Sequence, residues 1–204
     1  MLISFEGIDG SGKTTQIAML KARLEEAGIP VKLFREPGGT DVSETIRGLL
    51  LDPERHIDPV TEVLLFSASR SQLLVEQVLP ALAEGAVVIL DRFYDSTSAY
   101  QGFGRGSLPA DHIDAINRIA SHGRAPDVTF YLRLTRKQAE ARRLDRHADR
   151  MERAGDAFYE RVIAGFDAIA ATEARVRVID ASGTPDEIHA GIWGEVSRRR
   201  GLTQ

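Results

Sequence analysis

Cysteine is absent from the 204 residues of the sequence, which excludes disulfide bonds, thiolate metal sites and cysteine nucleophiles. No apolar run approaches the roughly 18 residues that a membrane-spanning helix needs. Met1 leads directly into an apolar run, which leaves no room for a secretory signal. These absences predict a cytoplasmic protein without a membrane partner.

An excess of basic over acidic residues is also absent, since 26 Lys and Arg stand against 30 Asp and Glu. The net charge of −4 and pI near 5.8 give no electrostatic reason to bind nucleic acid, and we expect no nucleic-acid partner. The five histidines lack the spacing of metal ligands. A hydrophobic content of 43%, without a repeat or linker, predicts one packed domain over residues 1–204.

The most informative stretch present is a glycine-rich loop between an apolar run and a helical pattern. It fits a P-loop, in which backbone N–H groups surround phosphate, the lysine reaches the β- and γ-phosphates and the threonine hydroxyl binds Mg²⁺. An incidental glycine-rich turn is the alternative. We predict binding of a nucleoside triphosphate by Gly7, Ile8, Asp9, Gly10, Ser11, Gly12, Lys13, Thr14 and Thr15, with Thr14 as a metal ligand.

A second candidate ligand-binding loop follows the next strand-like run. After a helix that ends near Gly28 and a short strand at residues 31–34, Arg35 and Pro37 lie in the sequence REPGGT. Ligands collect at the carboxyl ends of strands in open parallel sheets. A turn carrying surface charges is the alternative.

A long helix is predicted over residues 60–82, after a shorter one over residues 41–51. Its apolar residues spread over more than one face, which predicts two burying surfaces, the sheet and a second copy of the chain. Phe66 and Arg70 share one face, where they can stack on a base and read its edge. A core phenylalanine beside a surface arginine is the alternative.

The buried strand predicted at residues 86–90 ends in Asp91 and Arg92. This pattern is typical of a Walker B aspartate that holds Mg²⁺ beside the P-loop, with the arginine directed at phosphate. A helix-capping role for Asp91 is the alternative. We expect the polar segment 94–102 to line a pocket, unless its hydroxyls only cap a helix, and residues 102–106 to form a flexible loop.

An arginine-rich helix is predicted to start near Thr135, after a strand at residues 128–132. A solvated helix laced with acidic residues explains its charges, but phosphoryl transfer needs arginines over the γ-phosphate, which favours a lid. A helix over residues 158–171 and a strand at 176–180 follow. A capping box begins the last helix at Thr184.

Five motifs together resemble those of bacterial thymidylate kinases: GIDGSGKTT, REPGGT, FSASR, DRFYDSTSAYQG and the later DR-M-E segment. They occur in the family's order over nearly the whole chain. The resemblance implies an α/β, three-layer P-loop NTPase fold, with a five-stranded parallel sheet flanked by helices and a short helical lid at about residues 136–153. It also implies transfer of a phosphoryl group from ATP, with Mg²⁺, to dTMP, while the many-sided helix over residues 60–82 predicts a homodimer.

The same resemblance implies roles for individual residues. Phe66 would stack on thymine, Arg70 would bond its O4, Thr97 and Gln101 would complete the base pocket, and Pro37 would lie near the thymine methyl. Tyr100 would crowd the 2′ position, Asp9 would contact the 3′-OH, and Arg35 and Arg92 would hold the acceptor phosphate. Because Gly10 stands where some relatives carry an arginine, a lid arginine would be catalytic. The implied catalytic set is Lys13, Arg92, Asp9, Arg143, Arg146 and Arg150.

Two other functions remain open from the sequence. Another nucleoside-monophosphate or deoxynucleoside kinase would share the scaffold and differ in its base pocket. A non-catalytic nucleotide switch is disfavoured because the chain lacks the Asn-Lys-x-Asp sequence that reads guanine.

The resemblance also implies an adenine site near residues 181–183.

Overall fold

A five-stranded parallel sheet lies at the centre of the structure, a computed structural model that describes residues 1–142 and 155–202. The strand order is β2-β3-β1-β4-β5, and every neighbouring pair runs in parallel. This confirms the predicted α/β fold with its five-stranded sheet. The strands are β1 (Leu2–Glu6), β2 (Val31–Arg35), β3 (Val87–Asp91), β4 (Val128–Arg133) and β5 (Val176–Asp180).

Both faces of the central strands are buried. On β1 and β3, Ile3 and Ile89 belong to one apolar cluster, whereas Leu2 and Val88 belong to another. A strand covered on both faces reads as a continuous apolar run, as these do in the sequence. The helices are α1 (Lys13–Glu26), α2 (Asp41–Leu51), α3 (Pro59–Leu73), α4 (Leu79–Ala83), α5 (Tyr94–Thr97), α6 (Ala110–Ala120), α7 (Arg136–Ala141), α8 (Asp156–Thr172) and α9 (Pro185–Arg200).

The helix predicted over residues 60–82 is continuous but not uniform. Its first part is α3, its last part is α4, and a π-helical segment, Leu74–Val78, joins them. The interruption lies just before Pro80, which has no amide N–H for the regular α-helical ladder. In the described part of the chain, no helix is long and apolar enough to cross a membrane.

Helix starts follow the chemistry predicted for them. Thr184 accepts from the Glu187 amide, the Glu187 carboxylate accepts from Thr184, and Pro185 occupies the first turn of α9, so the predicted capping box is confirmed. Thr135 and Gln138 form a second capping box at the start of α7. Side chains therefore fix where both helices begin.

The prediction of a flexible loop at residues 102–106 is wrong over its first half. Ser98–Gly104 continues α5 as a π-helical segment that packs against α8. A Cβ atom on Gly104 would lie 2.7 Å from Phe158 and 2.8 Å from Val162, and one on Gly165 would lie 2.8 Å from Phe103. These glycines permit close helix packing, a role that their residue type alone does not distinguish from flexibility.

We predict that Gly104→Ala destabilises the fold by about 1–3 kcal/mol, because the added methyl group overpacks the contact with α8. Gly102→Ala in the same segment is the matched control, since its Cβ would meet Ile113 at an ordinary 3.8 Å. Urea denaturation of both variants measures the effect. Equal stability of the two would contradict this packing role.

Candidate functional site

The glycine-rich loop connects β1 to α1 and encloses the lysine side chain. Lys13 Nζ donates to the carbonyl oxygens of Gly7 at 3.0 Å and Ile8 at 3.1 Å. Gly7 has a φ of 131°, and a Cβ there would lie 2.6 Å from the Leu132 carbonyl oxygen. Among the described residues, no side chain caps the start of α1. Its free amide groups and positive dipole end are therefore available to an anion.

Burial depresses the basicity of this lysine. Removal from water, and then the nearby Arg92 cation, lower the pKa of Lys13 to about 8, against the opposing effect of Asp9 and Asp91. An anion bound in the loop would favour the charged amine and raise its pKa again. Binding of a phosphate group in the loop would therefore stabilise the protonated form of Lys13.

Arg92 joins the end of β3 to the P-loop. Its Nη2 donates to Asp9 Oδ1 at 2.7 Å, its Nη1 donates to the Gly7 carbonyl at 2.9 Å, and its guanidinium lies 5.2 Å from the Tyr100 ring centre. Its φ of 72° is in the left-handed region, which is uncommon for a residue with a Cβ. A defined local support is needed to hold this conformation.

Glu6, which the sequence reasoning missed, provides that support. Its carboxylate accepts from the Phe93 amide at 2.7 Å and from Ser96 Oγ at 2.6 Å, directly beside Arg92. Burial and then the charge of Asp95 raise the pKa of Glu6 to about 8. An acid at the end of an apolar strand is the sequence signal that identifies it.

The predicted metal ligands lie in one large cleft. Thr14 and Asp91 both line a cavity of about 1470 Å³ that also contains the P-loop. The N-cap residue of α5 is Phe93, so the alternative that Asp91 caps a helix is wrong. In residues 1–142 and 155–202, no cluster of three His, Asp or Glu side chains is placed to hold a metal ion. A metal here would need further oxygen ligands from a bound phosphate or from water.

The far end of this cleft reaches the predicted adenine region. Gly183 lines the cavity with Pro185 and Ile188, while Ala181 is fully buried. Arg142 also lines it and donates to the Ser182 carbonyl at 3.3 Å. The predicted lid arginines Arg143, Arg146 and Arg150 lie outside the described residues.

A second, smaller pocket of about 130 Å³ adjoins the cleft. Most of the residues predicted to bind the acceptor line it, as do several that were not predicted. The predicted ones are Asp9, Pro37, Phe66, Arg70, Arg92, Thr97, Tyr100 and Gln101; the others are Glu36, Arg47, Leu51, Phe93 and Ser96. Arg35 is the exception among the predicted residues, because it lines the large cleft and pairs with Glu44 at 3.1 Å.

Arg70 lies inside the protein, so the alternative of a surface arginine is wrong. Its side chain is only 2% exposed. Nε donates to Glu36 Oε2 at 2.7 Å, Nη1 to Asn117 Oδ1 at 3.1 Å and Nη2 to Thr97 Oγ1 at 2.9 Å. Burial raises the pKa of Glu36 to about 7, and the charge of Arg70 limits the rise. Three acceptors therefore fix the plane of the guanidinium.

Comparisons with known proteins agree with this arrangement. The family model described as "Thymidylate kinase" matches residues 5–192. A thymidylate kinase of Chlorobaculum parvum is 52% identical over 94% of this chain and 93% of its own, and one of Prosthecochloris aestuarii is 50% identical over 98% and 95%. The crystal structure of an Ehrlichia chaffeensis thymidylate kinase superposes with a TM-score of 0.79, at 35% identity, over 97% of this chain and 98% of that one.

We predict that binding of a nucleoside triphosphate weakens as the pH rises above about 8, because free Lys13 then loses its proton. Phosphate holds the amine protonated, so one proton is taken up on binding and affinity falls by up to about tenfold per pH unit. Calorimetry between pH 7.5 and 9.5 tests this, in a range where the triphosphate is already fully ionised.

Lys13→Arg is the control for this titration. Arginine stays charged throughout the range, so the variant should bind with little pH dependence, whatever its absolute affinity. If the variant keeps the full dependence, Lys13 is not the group that titrates.

Proposed function

The chain belongs to the thymidylate kinase family, and from its site we propose that it transfers the γ-phosphoryl group of ATP to dTMP, giving ADP and dTDP for dTTP synthesis. The observation that carries the proposal is that the two cavities share residues. Asp9, Glu36, Arg47 and Arg92 line both the cleft of the P-loop and the smaller pocket. A donor in the first and an acceptor in the second would meet at these side chains.

The chemistry requires positioning more than proton removal. A phosphate monoester near neutral pH already presents an anionic oxygen as nucleophile, so no strong general base is needed. Lys13 supplies positive charge in the cleft and Arg92 supplies it at the boundary of the two cavities, close to where charge would develop on the transferred group. We assign transition-state stabilisation to these two residues and orientation of the acceptor to Asp9.

Mg²⁺ fits the oxygen donors of the large cleft. The Thr14 hydroxyl and the Asp91 carboxylate both line the cleft, and Mg²⁺ commonly combines a few protein oxygens with substrate phosphates and water. When bound, it neutralises negative charge on the β- and γ-phosphates. We propose Thr14 and Asp91 as its protein ligands, with Asp91 acting through water.

The smaller pocket supports recognition of thymine. Phe66 and Arg70 line it from α3, while Thr97 and Gln101 line it from the following helical segment. We propose that Phe66 stacks on the base, Arg70 donates to O4, and Thr97 and Gln101 complete the site. In the same pocket, Pro37 would face the methyl group and Tyr100 the 2′ position of the sugar.

The acceptor phosphate requires cations at the mouth of this pocket. We propose Arg92 and Arg35 for this role, and the geometry adds Arg47, which lines both cavities and donates to the Pro37 carbonyl at 2.8 Å. Arg35 now pairs with Glu44 and is 57% exposed. Binding phosphate would therefore exchange one anionic partner of Arg35 for another.

The remaining catalytic charge is assigned to the lid. We propose that residues 1–204 form one kinase domain with a lid at about 136–153, and that Arg143, Arg146 or Arg150 contacts the γ-phosphate. Gly10 supports this assignment, since the P-loop itself carries no arginine. The described residue before the lid arginines, Arg142, lines the ATP cleft.

We further propose a cytoplasmic homodimer without a nucleic-acid partner. The net charge of −4 supports the absence of nucleic acid. On α3 and the π-helical segment after it, Val60, Leu64 and Val75 lie along one exposed stripe and are 37%, 52% and 54% exposed. A second copy of this apolar stripe is the surface that matches it in a two-fold dimer.

Sedimentation tests the dimer. We expect a species of twice 22.4 kDa at micromolar concentration for the wild type, and a 22.4 kDa species for Leu64→Glu, because a charge in the stripe would be buried without a partner. Val178→Glu, at a 51% exposed position on β5, is the control and should remain dimeric. A wild type that sediments only at 22.4 kDa contradicts the proposal.

An acceptor panel tests the reaction. With ATP and Mg²⁺, we expect dTMP to accelerate ADP release more than dUMP, dCMP, AMP, CMP or thymidine in a coupled assay. Preference for another monophosphate would indicate a different nucleoside-monophosphate kinase, and preference for thymidine a deoxynucleoside kinase. If no acceptor accelerated ADP release, the nucleotide-switch alternative would gain support.

A further inference from the structure

A buried glutamate on α3, Glu62, is hydrogen-bonded to one of the residues that line the smaller pocket. Glu62, Phe66 and Arg70 follow one another at intervals of four residues, which places them on one face of the helix. The Glu62 side chain is only 1% exposed, although a carboxylate is costly to bury. Its position therefore needs an explanation beyond helix formation.

Glu62 binds the residue that completes the base pocket. Gln101 Nε2 donates to Glu62 Oε1 at 2.8 Å, and Arg105 Nε donates to the same oxygen at 3.3 Å. A carboxylate only accepts hydrogen bonds, so the end of Gln101 that faces Glu62 must be the NH₂ group. In residues 1–142 and 155–202, no hydrogen bond reaches Gln101 Oε1, which leaves this oxygen for a ligand in the pocket that Gln101 lines.

The pocket therefore presents a fixed donor–acceptor pair. Arg70 can only donate, and Gln101 offers an acceptor oxygen from a different helical segment that lines the same pocket. Thymine and uracil have the complementary edge, with O4 accepting and N3–H donating. Cytosine has the reverse, with an N4 amino group that donates and an N3 atom that accepts, so both contacts would be repulsive.

We propose that Glu62 is a specificity-determining positioning residue, which orients the Gln101 amide and thereby makes the pocket select bases with an N3–H donor over cytosine. This inference rests on the proposed function, since it deepens the recognition of dTMP. Glu62 acts through Gln101 and does not itself contact the substrate.

Glu62→Gln tests the inference without changing side-chain length. Glutamine offers both an oxygen and an NH₂ group, so it no longer dictates which end of Gln101 faces it. We expect the ratio of kcat/KM for dTMP over dCMP to fall roughly 10- to 100-fold, the range for leaving a buried polar group unpaired. The dTMP-to-dUMP ratio should stay within about twofold, because these two bases share the O4 and N3–H edge.

Two further variants make the experiment decisive. Glu62→Met removes the acceptor together with the buried carboxylate. Its ionic partner Arg105 is 26% exposed and can be solvated by water, so this variant should lower the same ratio if Glu62→Gln does not fold. Glu76→Gln removes an exposed charge from the continuation of the same helix and should leave both ratios unchanged. A general structural defect would lower activity with all three acceptors alike.

The outcomes separate this inference from the proposed function. If Glu62→Gln or Glu62→Met is active and keeps the wild-type dTMP-to-dCMP ratio, the orienting role of Glu62 is overturned while the kinase assignment stands. If the wild type phosphorylates none of the three acceptors, the proposed function itself fails. Loss of selectivity against dCMP alone supports the inference.

Discussion

The ion pair between Asp9 and Arg92 is the interaction on which the site depends. It joins the loop after β1 to the end of β3, at a distance of 2.7 Å, and both residues line the two cavities. Parallel pairing of β1 with β3 brings these strand ends to one edge of the sheet. Glu6 then holds the backbone that follows Arg92 through the Phe93 amide. The donor and acceptor sites are thus positioned by the same few contacts.

Buried charges organise the acceptor side of the site. Glu36, Glu62 and Arg70 are almost wholly removed from water, and each has an ionic or amide partner inside the protein. Apolar residues of similar volume would often stabilise a fold equally well or better. The charged groups instead fix the direction of each hydrogen bond, because a carboxylate only accepts hydrogen bonds and a guanidinium only donates them. In the proposed acceptor pocket, the direction of each hydrogen bond would distinguish one pyrimidine from another.

The features that the sequence predicts correctly are those that depend on residues close together along the chain. The P-loop, the five strands, the capping box at Thr184 and the shared face of Phe66 and Arg70 all follow from local spacing, and the fold class is confirmed. Glu36 and Glu62 could not be identified in this way, because each gains its role from a partner 34 or 39 residues away. The loop predicted around Gly104 failed for a related reason, since the contacts of that glycine come from α8. The assignments of individual substrate contacts stay predictions.

The two ends of the proposed acceptor site differ in whether a bound ligand must replace existing hydrogen-bond or ionic partners. On the phosphate side, two cations already have partners that an incoming anion can replace: carbonyl oxygens for Lys13 and Glu44 for Arg35. The free energy of phosphate binding is therefore a difference between two sets of bonds. On the proposed base side, Glu36 already holds Arg70 and Glu62 already holds Gln101 before any base enters. Such preorganised groups lose little freedom on binding. Under the proposed assignment, discrimination between bases belongs to the buried side of the pocket, and the phosphate side supplies attraction common to every nucleotide.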